Sequence, residues 1–84
     1  MWFLYVVMCS DKSLYTGITK DVNRRVKEHN GSPKGAKYTR SRRPVKLVHV
    51  EECESRSEAS KKEYRFKKLS RKQKLQIVTI SEGI

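Results

Sequence analysis

The chain has 84 residues, enough for one small domain, with 20 lysines and arginines against nine acidic residues. The formal net charge of +11 favours a polyanionic partner, most often nucleic acid. The apolar opening, residues 1–8, lacks a basic leader and is too short to span a bilayer, so we expect neither export nor a membrane partner.

The two cysteines, Cys9 and Cys53, are too few for a structural zinc site and too far apart in sequence to suggest a redox pair. We therefore expect two buried free thiols in a reducing compartment, which indicates a cytoplasmic location. No predicted helix carries the bulky apolar stripe that binding to a membrane surface requires.

Three β-strands are predicted from the apolar patterns. Residues 2–8 are apolar on both alternating faces, which is typical of a central strand. Turn residues follow, and residues 14–18 predict a second strand that returns as a hairpin. Residues 45–53 alternate between apolar and polar side chains and predict the third strand.

A helix and a loop are predicted between the second and third strands. Thr19 and Asp21 are candidate caps for a helix that runs to about Asn30. Residues 31–44 contain both prolines and two glycines, so we expect a long basic loop there.

Two further helices are predicted after the third strand. Ser55 and Glu58 form a capping-box pattern before a helix at about residues 57–69. Ser70 can cap a final short helix over residues 71–78, before a polar tail.

The predicted order is ββαβαα, an α+β fold with a small three-stranded, mostly antiparallel sheet flanked by helices. We expect one domain over residues 1–84, with its core at about residues 2–77. Two dense basic runs, residues 34–46 and 61–74, strengthen the expectation of a nucleic-acid partner.

Polar side chains fall on the inward face of the first helix. Val22 and Val26 are four residues apart and define its buried stripe, and at 100° per residue His29 falls between them. Arg25 lies on the flank of the same face, whereas Arg24 points away. Each polar residue alone fits a structural role, as a satisfied core histidine or an arginine that snorkels.

The second long helix places a carboxylate on its inward face. Glu63 falls between Ala59 and Phe66, which mark the apolar stripe. Burying an unpaired carboxylate is costly, so Glu63 needs a cation, a metal or hydrogen-bond donors. A structural Arg25–Glu63 ion pair and a cleft-facing Glu63 that holds a divalent ion both meet this need.

Two tyrosines and a glycine belong to the predicted hairpin. Tyr5 and Tyr15 fall on adjacent strands, and Gly17 shares a face with Tyr15. A glycine inside a strand weakens it and often marks a bulge or the close approach of another backbone. Together with an inward Arg, His and Glu, this set favours a reaction site over ordinary cross-strand packing.

The ordered set of residues resembles the GIY-YIG nuclease superfamily. Phe3-Leu4-Tyr5 stands for its first motif and Tyr15-Thr16-Gly17 for its second, ten residues apart from tyrosine to tyrosine. Residues 28–48 are similar to small one-domain bacterial members and to the nuclease domain of structure-selective, junction-cleaving endonucleases. The resemblance covers nearly the whole chain, from about Trp2 to Leu75.

Two helices carry the rest of the resemblance. Residues 21–30 resemble the helix that follows the second motif, which assigns the catalytic arginine to Arg25 and a His-or-Tyr position to His29. Residues 56–63 resemble the helix that carries a metal-binding glutamate, here Glu63.

The resemblance implies hydrolysis of a DNA phosphodiester at a single-metal site. Tyr15 would serve the attacking water as general base or relay, a role that requires the metal and nearby cations to favour ionisation of a tyrosine. Arg25 would stabilise the charged transition state, and Glu63 would hold Mg²⁺ or Mn²⁺. Tyr5 and His29 would orient the water and phosphate or shuttle a proton.

The basic loop would track the DNA backbone with strongly salt-dependent affinity, through Lys34, Lys37, Tyr38, Arg40, Arg42 and Arg43. The resemblance makes branched DNA a candidate substrate, in repair or recombination, within the bacterial cytosol or nucleoid. Because members commonly take specificity from an appended domain or a second protein, a partner protein is a candidate source of specificity here.

The sequence departs from the family pattern in three respects. Phe3-Leu4 replaces the literal Gly-Ile of the first motif, and Ile18 stands where some members carry a lysine. Many members have an asparagine after the glutamate helix, whereas no asparagine follows Asn30 and only Gln73 or Gln76 could replace it. The alternative function is therefore a nucleic-acid-binding module on the same fold with little or no cleavage.

Overall fold

The fold is taken from a computed structural model that describes residues 1–82, with side chains described as far as Val78. The predicted α+β class and ββαβαα order are confirmed, with one short helix added after the first. The elements are β1 (Trp2–Met8), β2 (Leu14–Thr19), α1 (Val22–Gly31), α2 (Lys37–Arg40), β3 (Lys46–Cys53), α3 (Arg56–Lys67) and α4 (Arg71–Glu82).

The three strands form one antiparallel sheet in the order β2-β1-β3, so β1 is central as predicted. In the hairpin, Tyr5 pairs with Gly17 and Val7 with Tyr15. Because β1 is covered on both faces, its side chains from Leu4 to Val7 are all buried.

The helices form two layers around the sheet. On one face, Tyr5 and Val7 pack with Val22 and Val26 of α1. On the other face, Val6 packs with Phe66 of α3 and Val78 of α4, while Leu4, Cys53 and Ala59 form a third cluster. The site described below lies where α1 and α3 approach the β1–β2 hairpin from opposite sides.

Side-chain caps fix where three helices begin. The Asp21 carboxylate accepts from the Arg24 N–H at the start of α1, and the Ser55 hydroxyl accepts from the Glu58 N–H at the start of α3. At α4, Ser70 and Gln73 each accept from the other's backbone N–H, which is a complete capping box.

Two predicted boundaries are wrong. The predicted loop at residues 31–44 contains the helical turn α2, which forms because this segment folds back on α1. The last helix extends beyond residue 78 to Glu82, since no glycine or proline interrupts residues 71–82.

Cys9 and Cys53 are both buried and free, as predicted. Within residues 1–82, no helix has the length and apolar character needed to cross a membrane.

Candidate active site

The site is built around Tyr5, which β1 directs onto the face that α1 covers. The Tyr5 side chain is 1% exposed, and its hydroxyl lies 2.8 Å from Nε2 of His29. His29 is 0% exposed, at the position between Val22 and Val26 that helical phasing predicted. Tyr5 and His29 are thus a buried, hydrogen-bonded pair that links β1 to α1.

Gly17 provides the space that the Tyr5 ring occupies. A Cβ at Gly17 would lie 2.6 Å from the Tyr5 hydroxyl oxygen and 2.8 Å from Cζ. Tyr5 is held by His29 and by the core, so its ring has no freedom to move aside. The expected close approach at Gly17 is therefore real, but it comes from the Tyr5 ring rather than from another backbone.

Tyr15 lies beside this pair and is half-buried. Its ring makes an edge contact with the His29 ring, with 5.2 Å between the centroids, and stacks on Tyr38 at 5.9 Å. Tyr15 also contributes to the raised pKa of Tyr5, as expected for neighbouring phenol groups.

Arg25 reaches the Tyr5 hydroxyl from α1. Its Nη1 donates to the Glu28 carboxylate at 3.0 Å and to the Lys34 carbonyl at 2.8 Å, and these bonds fix the guanidinium. The guanidinium also lowers the pKa of Tyr5, which places Arg25 near the Tyr5 hydroxyl. One quarter of the Arg25 side chain remains exposed, whereas the neighbouring Arg24 is 69% exposed.

Glu63 approaches the same hydroxyl from α3. Its negative charge raises the pKa of Tyr5, and its side chain is 25% exposed. Glu63 pairs with Lys67 on the next turn at 3.4 Å, while Arg25 pairs with Glu28. The alternative of a structural Arg25–Glu63 ion pair is therefore wrong.

Burial sets the protonation states of the central pair. Desolvation raises the pKa of Tyr5 to about 12, although the Arg25 guanidinium opposes this shift. Desolvation, together with the positive charge of Arg25, lowers the pKa of His29 to about 4. At neutral pH, Tyr5 is a neutral phenol and His29 a neutral imidazole.

Thr39 is a residue of the site that the sequence did not reveal. It is 0% exposed, and its hydroxyl lies 2.8 Å from Nδ1 of His29. The preceding Gly35 allows this contact, because a Cβ there would lie 2.7 Å from the Glu28 carbonyl oxygen and 3.1 Å from the His29 Cα. No local pattern indicated Thr39, because its partner His29 lies ten residues away in the sequence.

The predicted DNA-binding residues of this segment fall into two groups. Lys34 and Lys37 are exposed, and Tyr38 is 40% exposed beside Tyr15. The three arginines instead hold the segment together. Their acceptors are the Pro33 carbonyl for Arg40, the Tyr38 carbonyl and Asp11 carboxylate for Arg42, and the His29 and Ser32 carbonyls for Arg43.

Arg42 has a second role because its guanidinium lies 4.0 Å from the centroid of the Tyr38 ring. This cation–π contact and the stacking on Tyr15 hold Tyr38 in a fixed orientation at the edge of the site. A rigid, partly exposed aromatic ring beside cations is suited to contact nucleic acid.

The candidates for the missing asparagine differ in their surroundings. Gln73 uses its side chain in the capping box with Ser70. Gln76 is exposed on α4.

A metal ion at this site would depend on Glu63. Among the residues that the structure describes, no three His, Cys, Asp or Glu side chains are grouped to hold a metal. A lone, partly exposed carboxylate does not suit zinc, which takes three or four protein ligands. It suits Mg²⁺ or Mn²⁺, which keep several waters and bind phosphate oxygens alongside one carboxylate.

Comparison with known proteins identifies the class to which this fold and site belong. Residues 1–76 match the family described as the GIY-YIG catalytic domain. The chain therefore belongs to the GIY-YIG family, within the nuclease superfamily that the sequence motifs indicated. Members of this superfamily generally use divalent metals.

The relatives are small bacterial proteins designated UPF0213. The chain is 59% identical over 81 residues to a UPF0213 protein of Desulfotalea psychrophila. The matched region covers 96% of this chain and 74% of that protein. It is 55% identical over 76 residues to a UPF0213 protein of Bacillus velezensis. The matched region covers 90% of this chain and 76% of that protein.

Two solution NMR structures share the fold. The UPF0213 protein of Bacillus halodurans is 48% identical, with a TM-score of 0.60 over 95% of this chain and 85% of that one. A protein of E. faecalis is 46% identical, with a TM-score of 0.63 over 98% of this chain and 86% of that one.

Proposed function

We propose that the chain is a metal-dependent endonuclease that hydrolyses DNA phosphodiester bonds. The observation that carries this proposal is that Tyr15, Arg25 and Glu63, from three different elements, all act on the pKa of the same residue, Tyr5. These three side chains come from three elements, and each remains partly exposed. The neutral pair Tyr5 and His29 is buried beneath these three side chains, so the charged groups lie on the side that is open to a substrate.

Tyr15 is the proposed general base. In the reaction, a water oxygen would attack phosphorus and its proton would pass to the ionised Tyr15 oxygen, while the bond to the leaving oxygen breaks and that oxygen takes a proton from solvent. The role falls to Tyr15 because Tyr5, with a pKa near 12 and a buried hydroxyl, can neither ionise at neutral pH nor reach a water.

Arg25 is the proposed phosphate ligand and transition-state stabiliser. Glu28 and the Lys34 carbonyl both bind Nη1, so the guanidinium is already oriented before substrate arrives. A preorganised cation costs no reorientation when negative charge develops on the phosphoryl oxygens.

Glu63 is the proposed metal ligand. A bound Mg²⁺ or Mn²⁺ would polarise the phosphate and stabilise the leaving oxygen. The Lys67 ammonium at 3.4 Å neutralises the carboxylate before metal binds, and its long exposed side chain can move away.

Tyr5 and His29 are proposed to position the reacting groups rather than to touch the phosphate. Both are withdrawn from solvent, so neither is proposed as a direct ligand of water or phosphate. Tyr5 holds Arg25 and borders Tyr15, and His29 holds Tyr5. Gly17 keeps the space for the Tyr5 ring.

DNA is the proposed substrate, bound along the exposed face of residues 34–43. Lys34 and Lys37 would contact phosphates, and Tyr38 would contact a sugar or base at the edge of the site. Branched DNA in repair or recombination, with a partner protein that supplies specificity in the bacterial cytosol, is the more specific form of this proposal.

A nucleic-acid-binding module with little cleavage is the second candidate. It is favoured by Gln73, whose side chain is engaged in the capping box and so does not replace the missing asparagine. The net charge of +11 is consistent with both candidates.

Cleavage and binding measured on the same labelled DNAs separate the two candidates. Plain, flapped and branched duplexes are incubated with the wild type or Glu63→Gln, in Mg²⁺, Mn²⁺ or EDTA. We expect metal-dependent cleavage by the wild type, at least a hundredfold less by Glu63→Gln, and equal DNA binding by both.

The matched control is Glu54→Gln, which changes an exposed glutamate away from the site and should cleave like the wild type. Equal cleavage by the wild type and Glu63→Gln would contradict the nuclease proposal. Binding without cleavage in every metal would establish the second candidate.

A further inference from the structure

A chain of hydrogen bonds leads from the site into the segment after α1. The Tyr5 hydroxyl lies 2.8 Å from His29 Nε2, and His29 Nδ1 lies 2.8 Å from the Thr39 hydroxyl. The Thr39 hydroxyl donates in turn to the Ala36 carbonyl at 3.0 Å. Among the described side chains, no buried nitrogen or oxygen lacks a partner, so every member of the chain is satisfied.

Counting protons leaves two directions for this chain. A threonine hydroxyl has one proton, and a carbonyl oxygen can only accept. In the first direction the Thr39 proton goes to the Ala36 carbonyl at 3.0 Å, and the Thr39 oxygen accepts from a protonated His29 Nδ1 at 2.8 Å. In the second, Thr39 donates to Nδ1, and the Ala36 carbonyl keeps only the Thr39 and Arg40 N–H groups. The Ala36 N–H would also donate to an unprotonated Nδ1, but at 3.5 Å it is at the outer limit for a hydrogen bond and gives the second direction little support.

The other end of the chain fits the first direction. With its proton on Nδ1, neutral His29 accepts at Nε2 and takes the Tyr5 proton. The Arg25 guanidinium lowers the pKa of Tyr5, and because Arg25 has only N–H donors the Tyr5 oxygen faces it as an acceptor. In this direction every donor from Arg25 to Thr39 points away from the site and into the protein.

We propose that Thr39 is a positioning residue of the site. By holding His29 as the Nδ1–H tautomer, Thr39 turns the Tyr5 proton inward and leaves the Tyr5 oxygen to accept from, and orient, the Arg25 guanidinium. The effect on rate rests on the proposed nuclease function, whereas the tautomer is a property of the folded chain.

The opposite tautomer would disturb Arg25. An N–H at Nε2 would donate to the Tyr5 oxygen and compete with Arg25 for it, and the Tyr5 proton would turn towards the guanidinium. The chain of hydrogen bonds also needs a neutral His29 ring. Burial and the positive charges of Arg25 and Arg43 lower the pKa of His29, while the negative charge of Glu28 opposes this shift.

The first test is the tautomer of His29 in wild-type protein labelled with ¹⁵N-histidine. Two-bond proton–nitrogen correlation spectra at pH 7 distinguish a protonated Nδ1 from a protonated Nε2. We expect the Nδ1–H form for His29. A dominant Nε2–H form would overturn the proposal, whether or not any variant folds or any DNA is cut.

The second test compares Thr39→Val, which keeps the shape but removes the hydroxyl, with Thr39→Ser, which keeps the hydroxyl. In Thr39→Val we expect the Nδ1–H signal to lose dominance and kcat to fall by about tenfold to a hundredfold, with KM within about threefold. Thr39→Ser should restore both the tautomer and most of kcat.

Ser41→Ala, which removes an exposed hydroxyl two residues away, is the control and should leave both readouts unchanged. Full kcat in a folded Thr39→Val protein would overturn the positioning role. If the wild type cuts no DNA, the nuclease proposal fails, while the tautomer and its response to Thr39→Val still decide this inference.

Discussion

The Tyr5 hydroxyl hydrogen-bonds Nε2 of His29 at 2.8 Å, in a position withdrawn from solvent. This pair separates the two motif tyrosines into different roles. Tyr5 is a neutral, sealed residue that holds Arg25, whereas Tyr15 is half-buried at the edge of the site. The predictions below follow from the residues around this pair.

Gly17→Ala should disrupt the site through the Tyr5 ring. A Cβ at 2.6 Å from the Tyr5 hydroxyl overpacks a core that cannot relax, so we expect a loss of about 1–3 kcal/mol in unfolding free energy. Cleavage should also fall, because Tyr5 no longer holds Arg25. Urea denaturation and a cleavage assay measure the two effects.

Gly31→Ala is the matched control, because a Cβ there meets nothing within 4 Å. At the end of α1, alanine should stabilise the protein by up to about 1 kcal/mol and leave cleavage unchanged. Equal stability of Gly17→Ala and the wild type would refute the packing argument.

The stability of the protein should fall with pH below about 6.5 because of His29. Its pKa is about 4 in the folded state against an ordinary 6.5, so between these values the unfolded state binds more protons and each drop in pH favours unfolding. At about 1.4 kcal/mol per pKa unit the total loss approaches about 3 kcal/mol, of which about 2 kcal/mol falls above pH 5.

Denaturant titrations from pH 8 to 5 measure this loss, with His29→Gln as the comparison. Above pH 6.5 the contribution of His29 is constant. The variant should be less stable at pH 8 but should lose much less stability on acidification. Parallel pH profiles for the two proteins would show that His29 is not the cause.

Lys67→Ala should lower the metal concentration needed for cleavage. The Lys67 ammonium competes with the metal for the Glu63 carboxylate at 3.4 Å. An exposed pair of this kind contributes about 0.2–1 kcal/mol, so we expect half-maximal activity at about 1.4-fold to fivefold less Mg²⁺. A metal titration of the cleavage rate measures this effect.

Lys68→Ala is the control, because that lysine lies over the Tyr64 ring at 4.4 Å rather than beside Glu63. It should show the metal requirement of the wild type. An unchanged or raised requirement in Lys67→Ala would argue against Glu63 as the metal ligand.

Lys37 and Arg43 should respond differently to removal of their charge. Lys37 is exposed, so Lys37→Ala should weaken DNA binding and reduce the slope of log affinity against log salt by about 1. Arg43 donates to the His29 and Ser32 carbonyls, so Arg43→Ala should instead lower unfolding free energy by about 1.5–3 kcal/mol.

Binding isotherms at several salt concentrations test this distinction on the Glu63→Gln background, so that cleavage does not intervene. Lys27→Ala, which removes an exposed cation from the outer side of α1, is the control for charge alone. A slope lowered equally by Lys27→Ala and Lys37→Ala would mean that net charge, and not the segment at residues 34–43, determines affinity.

The sequence predicted the sheet order and the inward positions of the first helix because both depend on periodicity. The uninterrupted apolar pattern of residues 2–8 requires a strand covered on both faces. The four-residue spacing of Val22 and Val26 places His29 between them in any regular helix.

Other features depend on contacts between distant residues and could not be predicted from periodicity. Helical phasing made Glu63 inward-facing, but its pairing with Lys67 rather than Arg25 depends on how α3 lies against the hairpin. Thr39 has no local signal of burial, because its partner His29 is ten residues away and Gly35 sets the approach.

The most direct test of the nuclease proposal compares two adjacent arginines. Arg24 and Arg25 carry the same charge on the same helix, and both contact Glu28, yet only Arg25 of the two approaches Tyr5. We expect Arg25→Ala to lower metal-dependent cleavage by about 10²–10³-fold and Arg24→Ala to stay within about threefold of the wild type. Equal cleavage by the two variants would contradict the proposed site.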